Sequence, residues 1–312
     1  MQIYRHYENL PGEARGAVVA VGNFDGVHRG HQIVIAEAAA VAKATGAPLA
    51  VLSFEPHPRS VFRPDDPPFR LTPFRIRARL LEPLGVDLHV VLHFDLEFSR
   101  RTADWFVAEV LVGGLGARHV TIGYDFCFGH NRRGNAETLF GYGRDHGFGV
   151  TVVTQASDES GGVFSSSRAR DLLGAGSPRE AADILGRCWE VEGRVERGDR
   201  RGHDLGYPTA NIALGDYLRP AYGIYAVRVA VDTGDAPVWR DGVASLGIRP
   251  MFQVPQPLLE AHLFDFSGDL YGQYLRVQLV DRLRPEMNFA DLAALVAQMD
   301  RDSADARRAL AG

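Results

Sequence analysis

The stretch that decides the fold is AVVAVGNFDGVHRGH, residues 17–31. Its first part, Ala17–Val21, is an apolar run of strand length, and the Ala-rich segment His31–Thr45 that follows has a helical pattern. The glycine-rich segment Gly22–His31 therefore lies where a strand gives way to a helix. Because ligands of open α/β sheets bind beyond the carboxyl ends of the strands, the stretch predicts a sheet and a ligand site at its edge.

The same alternation continues through the first half of the chain. Strand-like runs alternate with helix-like ones, which predicts βαβ units and a mostly parallel sheet. The strands have few polar interruptions, as expected for a sheet that is covered on both faces. The further predicted strands are Leu49–Phe54, Val86–Leu92, Ala117–Ile122 and Val150–Val153, and the further predicted helices are Pro73–Leu84, Ala103–Val112 and Thr138–His146.

The pattern changes after about Gly186. Strand-like runs then follow one another with no clear helical pattern between them, which predicts an antiparallel unit in the form of a small β-barrel. A last helix over Phe289–Leu310 is expected to close it. We therefore expect two domains, residues 1–185 and 186–312. The predicted strands of the second are Glu190–Val195, Gly223–Val231, Val238–Leu246, Leu258–Phe266 and Leu275–Val280.

The composition is that of an ordinary folded protein, with 46% hydrophobic and 23% charged residues among 312. The net charge of −5 gives no basic field to attract nucleic acid or anionic lipid, so we expect neither as a partner. The two cysteines, Cys127 and Cys188, and an N-terminus unlike a signal peptide indicate a cytoplasmic protein. No apolar run is long enough to span a membrane.

Lysine is nearly absent from the chain. Lys43 is the only one, and neither a glycine-rich run before it nor a Ser or Thr directly after it makes a Walker A loop. If the protein handles ATP, arginine, histidine, backbone N–H groups and a metal must contact the phosphates.

The loop Gly22–His31 has the residues of a phosphate site. His28 and His31 are three apart and can converge on one anion, while the N-terminus of the following helix offers free N–H groups. The alternative is a glycine-rich turn with a helix-capping histidine. The two histidines, the glycines and Asp25 together favour phosphate binding.

Further candidates follow in the first half. Arg170 lies in the first turn of a helical stretch that begins near Arg168, and it can bind phosphate bidentately; the alternative is a surface salt bridge. Phe126 and Phe128 are two apart and can both face a planar ligand, although core packing is the better interpretation of either alone. His57 lies between two prolines, where a rigid turn residue is the alternative.

The second half contains a glycine-rich segment that ends in Pro-Thr-Ala-Asn, residues 198–211. Thr209 and Asn211 point the same way in an extended strand, and two neutral oxygens can hold a Mg²⁺ ion that also binds water and nucleotide phosphates. The alternative is a turn followed by a strand edge. Glu260 lies in an apolar strand-like run, where it is either a general base or the partner of an arginine such as Arg194 or Arg249.

Taken together, these segments resemble a known family. Gly22–His31 fits the HxGH signature of nucleotidyltransferases and resembles the adenylyltransferase half of bacterial bifunctional riboflavin kinase/FAD synthetases. Segments 54–58, 123–134 and 165–170 are similar to other motifs of that half, and segments 198–211, 242–250 and 259–272 to motifs of the kinase half. The chain departs from the family pattern at Ser167, Ala169, His203 and Met251.

The resemblance implies a Rossmann-like nucleotidyltransferase domain with a parallel sheet, followed by an antiparallel β-barrel riboflavin-kinase domain with a closing helix. It implies that ATP and Mg²⁺ serve to convert riboflavin to FMN, and that a second ATP converts FMN to FAD with release of pyrophosphate. The residues it implies are Glu260, His28, His31 and Arg170 for catalysis; Gly22, Phe24, Asp25, Gly30, Ser166, Ser167, Gly198, Gly202 and Pro208 for ATP; His57, Asp125, Phe126, Phe128, Arg132 and Arg249 for the flavin; and Thr209 and Asn211 for the metal.

Two other functions stay open at this point. One is a nucleotidyltransferase for a different phosphorylated small molecule, which would need no barrel with a Pro-Thr-Ala-Asn motif. The other is a non-catalytic flavin- or nucleotide-binding regulator in which one site has decayed, and tight FMN binding without ATP turnover would identify it.

Overall fold

The computed structural model describes residues 1–196, 207–234, 236–248 and 257–312, which form two compact units. The first unit consists of Met1–Pro67 and Thr72–Ser165, and the second of Pro68–Leu71 and Ser166–Gly312. The sequence analysis expects the boundary between the two domains at residues 185 and 186. That boundary stays a prediction.

The first unit is built on a parallel sheet of six strands. The strands are β1 (Gln2–Tyr4), β2 (Val18–Val21), β3 (Leu49–Glu55), β4 (Leu88–His93), β5 (His119–Gly123) and β6 (Gly149–Val153). Their order is β1-β4-β3-β2-β5-β6, and every neighbouring pair is parallel. This confirms the predicted α/β unit, to which the structure adds the short edge strand β1.

Helices cover both faces of this sheet. Successive strand residues point to opposite faces, and both sets of side chains are apolar, so both faces must be buried. Val19 and Val21 belong to one apolar core, and Val18 and Ala20 to the other, against which the helix Arg29–Thr45 packs. The helices are α1 (Arg29–Thr45), α2 (Pro58–Phe62), α3 (Phe74–Leu81), α4 (Ala103–Trp105, continued by a π-helix over Phe106–Gly114) and α5 (Ala136–His146).

The strand order reverses at β2, since β3 and β4 lie on one side of it and β5 and β6 on the other. In open α/β sheets a crevice for ligands forms beyond the strand ends at this reversal. The loops after β2 and β5 carry the segments that begin at Gly22 and Gly123. The fold therefore brings two predicted site segments to the two sides of one crevice.

The second unit contains an antiparallel sheet of six strands. The strands are β7 (Trp189–Arg194), β8 (Ala210–Ala213), β9 (Gly223–Val231), β10 (Arg240–Ile248), β11 (Pro257–Leu263) and β12 (Tyr274–Arg284), and the helices are α6 (Ser166–Ala175), α7 (Pro178–Leu185) and α8 (Leu292–Ala311). The order is β7-β12-β9-β10-β11-β8, and a bridge between Glu196 and Asn211 links the two ends of the sheet into a nearly closed barrel. The predicted β-barrel is therefore confirmed.

The closing helix also agrees with the sequence prediction, apart from its start. Asp291 caps α8 by accepting a hydrogen bond from the Ala294 N–H at 2.8 Å, so the helix begins at Leu292 instead of Phe289. Its C-terminal half packs Ala306 and Leu310 into an apolar cluster with strand residues.

Candidate active sites

The loop after β2 has a strained backbone. Phe24 (φ 51°) and Val27 (φ 41°) both lie in the left-handed region, which a β-branched residue such as Val27 rarely adopts. Both side chains are buried, so core packing holds the loop in this conformation. Such strain costs about 1–3 kcal/mol per residue and is concentrated at ligand sites.

Buried hydrogen bonds to Thr72, a residue outside the loop, hold the same loop in place. The Asp25 carboxylate accepts a hydrogen bond from the Thr72 N–H at 2.9 Å, and the Thr72 hydroxyl accepts one from the Gly26 N–H at 2.7 Å. Asp25 and Thr72 are both buried. Asp25 therefore helps to set the shape of the loop, and Thr72 is a contributor that the sequence analysis missed.

The two histidines of the loop lie side by side at the start of α1. The His28 Nδ1 accepts a hydrogen bond from the His31 N–H at 3.3 Å, so His28 is also the helix cap that the sequence allowed as an alternative. The two rings stack with their centroids 3.6 Å apart, and Phe24 packs edge-on against His31. A Cβ atom at Gly30 would lie 3.1 Å from both the His28 ring and the Phe164 carbonyl, closer than ordinary van der Waals contact, so glycine lets these groups approach the helix start closely. The helix N-terminus beside the pair favours an anion.

Arg77 is a second residue that the sequence analysis missed. Its side chain is fully buried, donating to the Asn23 carbonyl at 3.2 Å and to the Glu55 carboxylate at 2.9 Å. It ties the loop after β2 to the end of β3. Its helix, α3, has arginines at three alternate positions, and nothing in that pattern distinguishes the buried one.

His57 follows the end of β3. Its Nδ1 accepts a hydrogen bond from the Arg59 N–H at 3.1 Å and so caps α2, which agrees with the interpretation as a rigid turn residue. The ring is nearly buried. A contact between His57 and the flavin stays a prediction.

The loop after β5 carries two phenylalanines that differ in exposure. Phe128 is buried and packs against Phe106 with ring centroids 5.6 Å apart, so it belongs to the core. Phe126 is half-buried and stacks nearly parallel on Phe128, at 5.9 Å and 18°. Asp125 and Arg132 are exposed. The loop thus offers one partly exposed aromatic ring with polar groups beside it.

The remaining predicted residues of the adenylyltransferase set belong to the second unit. Ser166 and Ser167 begin α6, and the Arg170 Nε donates to the Phe69 carbonyl at 2.9 Å while its guanidinium lies 5.4 Å from the Phe69 ring centroid. Ala169, where the family pattern has isoleucine, is fully buried.

In the barrel, strand register brings Glu260 opposite Asn211. The two are direct partners across the antiparallel pair β8–β11, and Ser245 is the partner of Glu260 on its other side. Cβ atoms of such partners lie about 4.5–5.5 Å apart, so the Glu260 and Asn211 side chains share one face. Asn211 is buried, and its Oδ1 has no hydrogen-bond partner among the described residues.

The segment just before β8 is held by side chains of β11 and α8. The Nδ1 atom of His262 lies 2.9 Å from the Pro208 carbonyl oxygen, and the His262 ring packs against Tyr207 at 5.0 Å. The Tyr207 hydroxyl donates to Asp300. Burial, and after it this hydrogen bond, raises the pKa of Tyr207. Thr209, which follows Pro208, is half-buried.

Three predicted site residues lie outside the described residues, namely Gly198, Gly202 and Arg249, as do the departures His203 and Met251. Of the two arginines considered as partners of Glu260, Arg194 donates to the Gly272 carbonyl at 3.0 Å. Within the described ranges, no group of three or more His, Cys, Asp or Glu side chains is arranged to hold a metal ion.

Two family models match the two halves of the chain. The FAD synthetase model matches residues 10–168, and the riboflavin kinase model matches residues 185–310. This chain belongs to the bifunctional riboflavin kinase/FMN adenylyltransferase family. The first match includes strands β2–β6 of the parallel sheet and the second includes strands β7–β12 of the barrel, while Arg170 falls between them.

Relatives of this family align along nearly the whole chain. The bifunctional riboflavin kinase/FMN adenylyltransferase of Escherichia coli strain K12 is 37% identical over 98% of this chain and 97% of its own, and that of Pseudomonas fluorescens is 40% identical over the same shares. A solved structure from Streptococcus pneumoniae, described as a macrolide-efflux protein, is 30% identical over 98% of both chains with a TM-score of 0.86. The similarity to these relatives thus extends over both units.

Across the part of the chain that the structure describes, no helix has the length and apolar character needed to cross a membrane.

Proposed function

We propose that this chain phosphorylates riboflavin to FMN and then adenylylates FMN to FAD, using one ATP in each step. The barrel carries the kinase chemistry, and the part of the chain before it carries the adenylyl transfer. We also propose that the two activities divide at residues 1–185 and 186–312. The observation that carries the proposal is the pairing of Glu260 with Asn211 in a chain that both family models match.

In the kinase step, Glu260 is the general base. The 5′-hydroxyl oxygen of the riboflavin ribityl chain forms a bond to the γ-phosphorus of ATP, the bond from that phosphorus to ADP breaks, and Glu260 accepts the hydroxyl proton. Such a step depends on the position of the reactants and on charge stabilisation, so a Walker lysine is not required. Glu260 lies in the middle of β11, between partners on β8 and β10, which makes its backbone position rigid.

Thr209 and Asn211 would hold the Mg²⁺ ion. The buried Asn211 Oδ1 lacks a hydrogen-bond donor among the described residues, and a metal ligand would satisfy this acceptor. Two neutral oxygens suit Mg²⁺, which keeps several waters and shares its remaining positions with nucleotide phosphates. When bound, the ion would neutralise charge on the ATP phosphates.

In the second step, His28, His31 and Arg170 stabilise negative charge. An FMN phosphate oxygen forms a bond to the α-phosphorus of ATP, and the bond from that phosphorus to pyrophosphate breaks; no covalent enzyme intermediate is needed. The stacked histidines stand at the N-terminus of α1, where the free N–H groups favour phosphate. The half-buried Phe126 is the proposed aromatic contact of the flavin.

The experiment is a time course with purified protein, riboflavin, ATP and Mg²⁺, with the flavins separated by chromatography. We expect FMN to appear first and FAD to follow. FMN alone would contradict the adenylyltransferase assignment and point to the altered Ser167 and Ala169 positions. Bound flavin without conversion would contradict both activities and support the regulator.

A further inference from the structure

The backbone that leads into Thr209 is held by side chains that no part of the proposed chemistry uses. The His262 Nδ1 lies 2.9 Å from the Pro208 carbonyl oxygen. A carbonyl oxygen can only accept a hydrogen bond, so Nδ1 carries the proton and donates it. Because proline has no N–H group, this carbonyl is the only hydrogen-bonding group that Pro208 has.

Aromatic packing keeps the His262 ring in place. Tyr207 packs against one part of the ring with centroids 5.0 Å apart, and Phe264 packs against it edge-on at 5.9 Å. The Arg307 guanidinium lies 4.2 Å from the centroid of Phe264. Tyr207 is itself tied to α8 through its hydrogen bond to Asp300. The ring therefore has little freedom, and its Nδ1 is aimed at one acceptor.

The position of His262 on its strand gives this contact a consequence for the site. His262 lies two residues after Glu260 on β11, so both side chains are on the same face of the sheet. Across the strand pair, Glu260 faces Asn211. One strand thus supplies the proposed base and, two residues further on, a donor that fixes the start of the segment bearing Thr209 and Asn211.

We propose that His262 is a positioning residue for the kinase reaction, which fixes the Pro208 carbonyl so that Thr209 and Asn211 present their oxygens together. Tyr207, held by Asp300, supports it from the other side. This inference rests on the proposed function. It differs from a role in folding because it concerns the affinity for the nucleotide–metal complex, not the amount of folded protein.

Two substitutions of His262 separate these roles. In H262N the side-chain amide nitrogen lies close to the place of Nδ1 and can still donate to Pro208, whereas in H262Q the amide extends towards the place of Nε2. Loss of one hydrogen bond predicts a KM for MgATP in the kinase reaction about tenfold higher in H262Q. We expect H262N to recover most of this change. H146Q makes the same replacement at an exposed helix end and is expected to change nothing.

Two further readouts complete the test. Conversion of added FMN to FAD by the same preparations reports the first unit and should stay within about twofold of the wild type. The amplitude of the barrel's own unfolding transition in urea reports the amount of folded barrel and should match that of the wild type. Amide hydrogen exchange measured on a peptide that includes residues 209–213 should be faster in H262Q than in H262N, independently of any metal or turnover.

The outcomes are distinct. A wild type that makes no FMN contradicts the proposed function. A wild type that makes FMN, with H262Q matching it in KM and exchange, overturns the inference alone, as does a lower kcat in both variants with an unchanged KM. If H262Q does not fold, Y207F decides: it removes only the hydroxyl, and an unchanged KM for MgATP would overturn the proposal.

Discussion

The two candidate sites are made rigid in different ways. The loop after β2 is contiguous in sequence, and its shape is maintained by left-handed residues, a buried carboxylate and a buried guanidinium. The barrel site joins residues far apart in sequence, and strand register alone places Glu260 beside Asn211. Local motifs therefore indicate the residues of both sites, whereas the proximity of Glu260 to Asn211 is visible only when the strand pairing is known. If this comparison is correct, each site can be disabled without the other.

The largest effect is expected from Glu260→Gln. The amide cannot accept the hydroxyl proton, so FMN formation from riboflavin should fall by a factor of about 10²–10⁴, the usual contribution of a general base. FAD formation from added FMN should continue at the wild-type rate. Steady-state assays of both reactions on one preparation test this, with E180Q, the same change at an exposed position of α7, as the control. Loss of both activities in a folded protein would contradict independent sites.

His31→Ala is the reciprocal test and should have a somewhat smaller effect. Removal of one imidazole from the stacked pair takes away a group that stabilises transition-state charge, so FAD formation from FMN should fall about 10²–10³-fold. FMN formation should stay near the wild-type rate. The same two assays apply, and H146A serves as a control at an exposed helix end. An equal loss of FMN formation would show that the sites are not separate.

Arg77→Met tests the support beneath the first site. The substitution leaves Glu55 and the Asn23 carbonyl without the buried guanidinium, and breaking a buried ion pair of this kind costs about 3 kcal/mol. We expect a lower free energy of unfolding of the first unit in urea and a loss of FAD formation. R75M, an exposed arginine on the same helix, should change stability by less than about 0.5 kcal/mol. Equal stability of the two variants would mean that Arg77 does not hold the loop.

Sequence patterns predicted most helices and strands of both units, but not the buried polar side chains that link neighbouring elements within a unit. Short, continuous apolar runs indicated the strands, because a strand that is buried on both faces is apolar along its whole length, as in Val18–Val21. Arg77 and Thr72 gave no such signal, since a polar side chain is buried only when distant partners satisfy it. The pairing of Glu260 with Asn211 likewise depends on register, which no local pattern specifies. His89, a buried histidine of β4, was missed for the same reason.

His89 supplies the smallest of the expected effects, and it concerns the first unit alone. Burial, and after it the positive charge of Arg77, lowers the pKa of His89 to about 3, while its Nε2 is 2.8 Å from the Ser53 hydroxyl. Between pH 6.5 and 3 the unfolded chain therefore binds a proton at His89 that the folded unit does not bind. The free energy of unfolding of the first unit is therefore highest above pH 6.5 and falls as the pH is lowered. At pH 5 the loss should be about 2 kcal/mol relative to pH 7.

His89→Gln should remove most of this pH dependence, because glutamine does not titrate. A smaller slope should remain, since burial also lowers the pKa of His119 in the same unit. Urea unfolding at pH 7, 6 and 5 measures it, with H93Q, an exposed histidine on the same strand, as the control that keeps the wild-type slope. The barrel's own transition should show no matching change, since His89 is not part of that unit. A wild-type slope in H89Q would mean that a group other than His89 causes the pH dependence of the first unit.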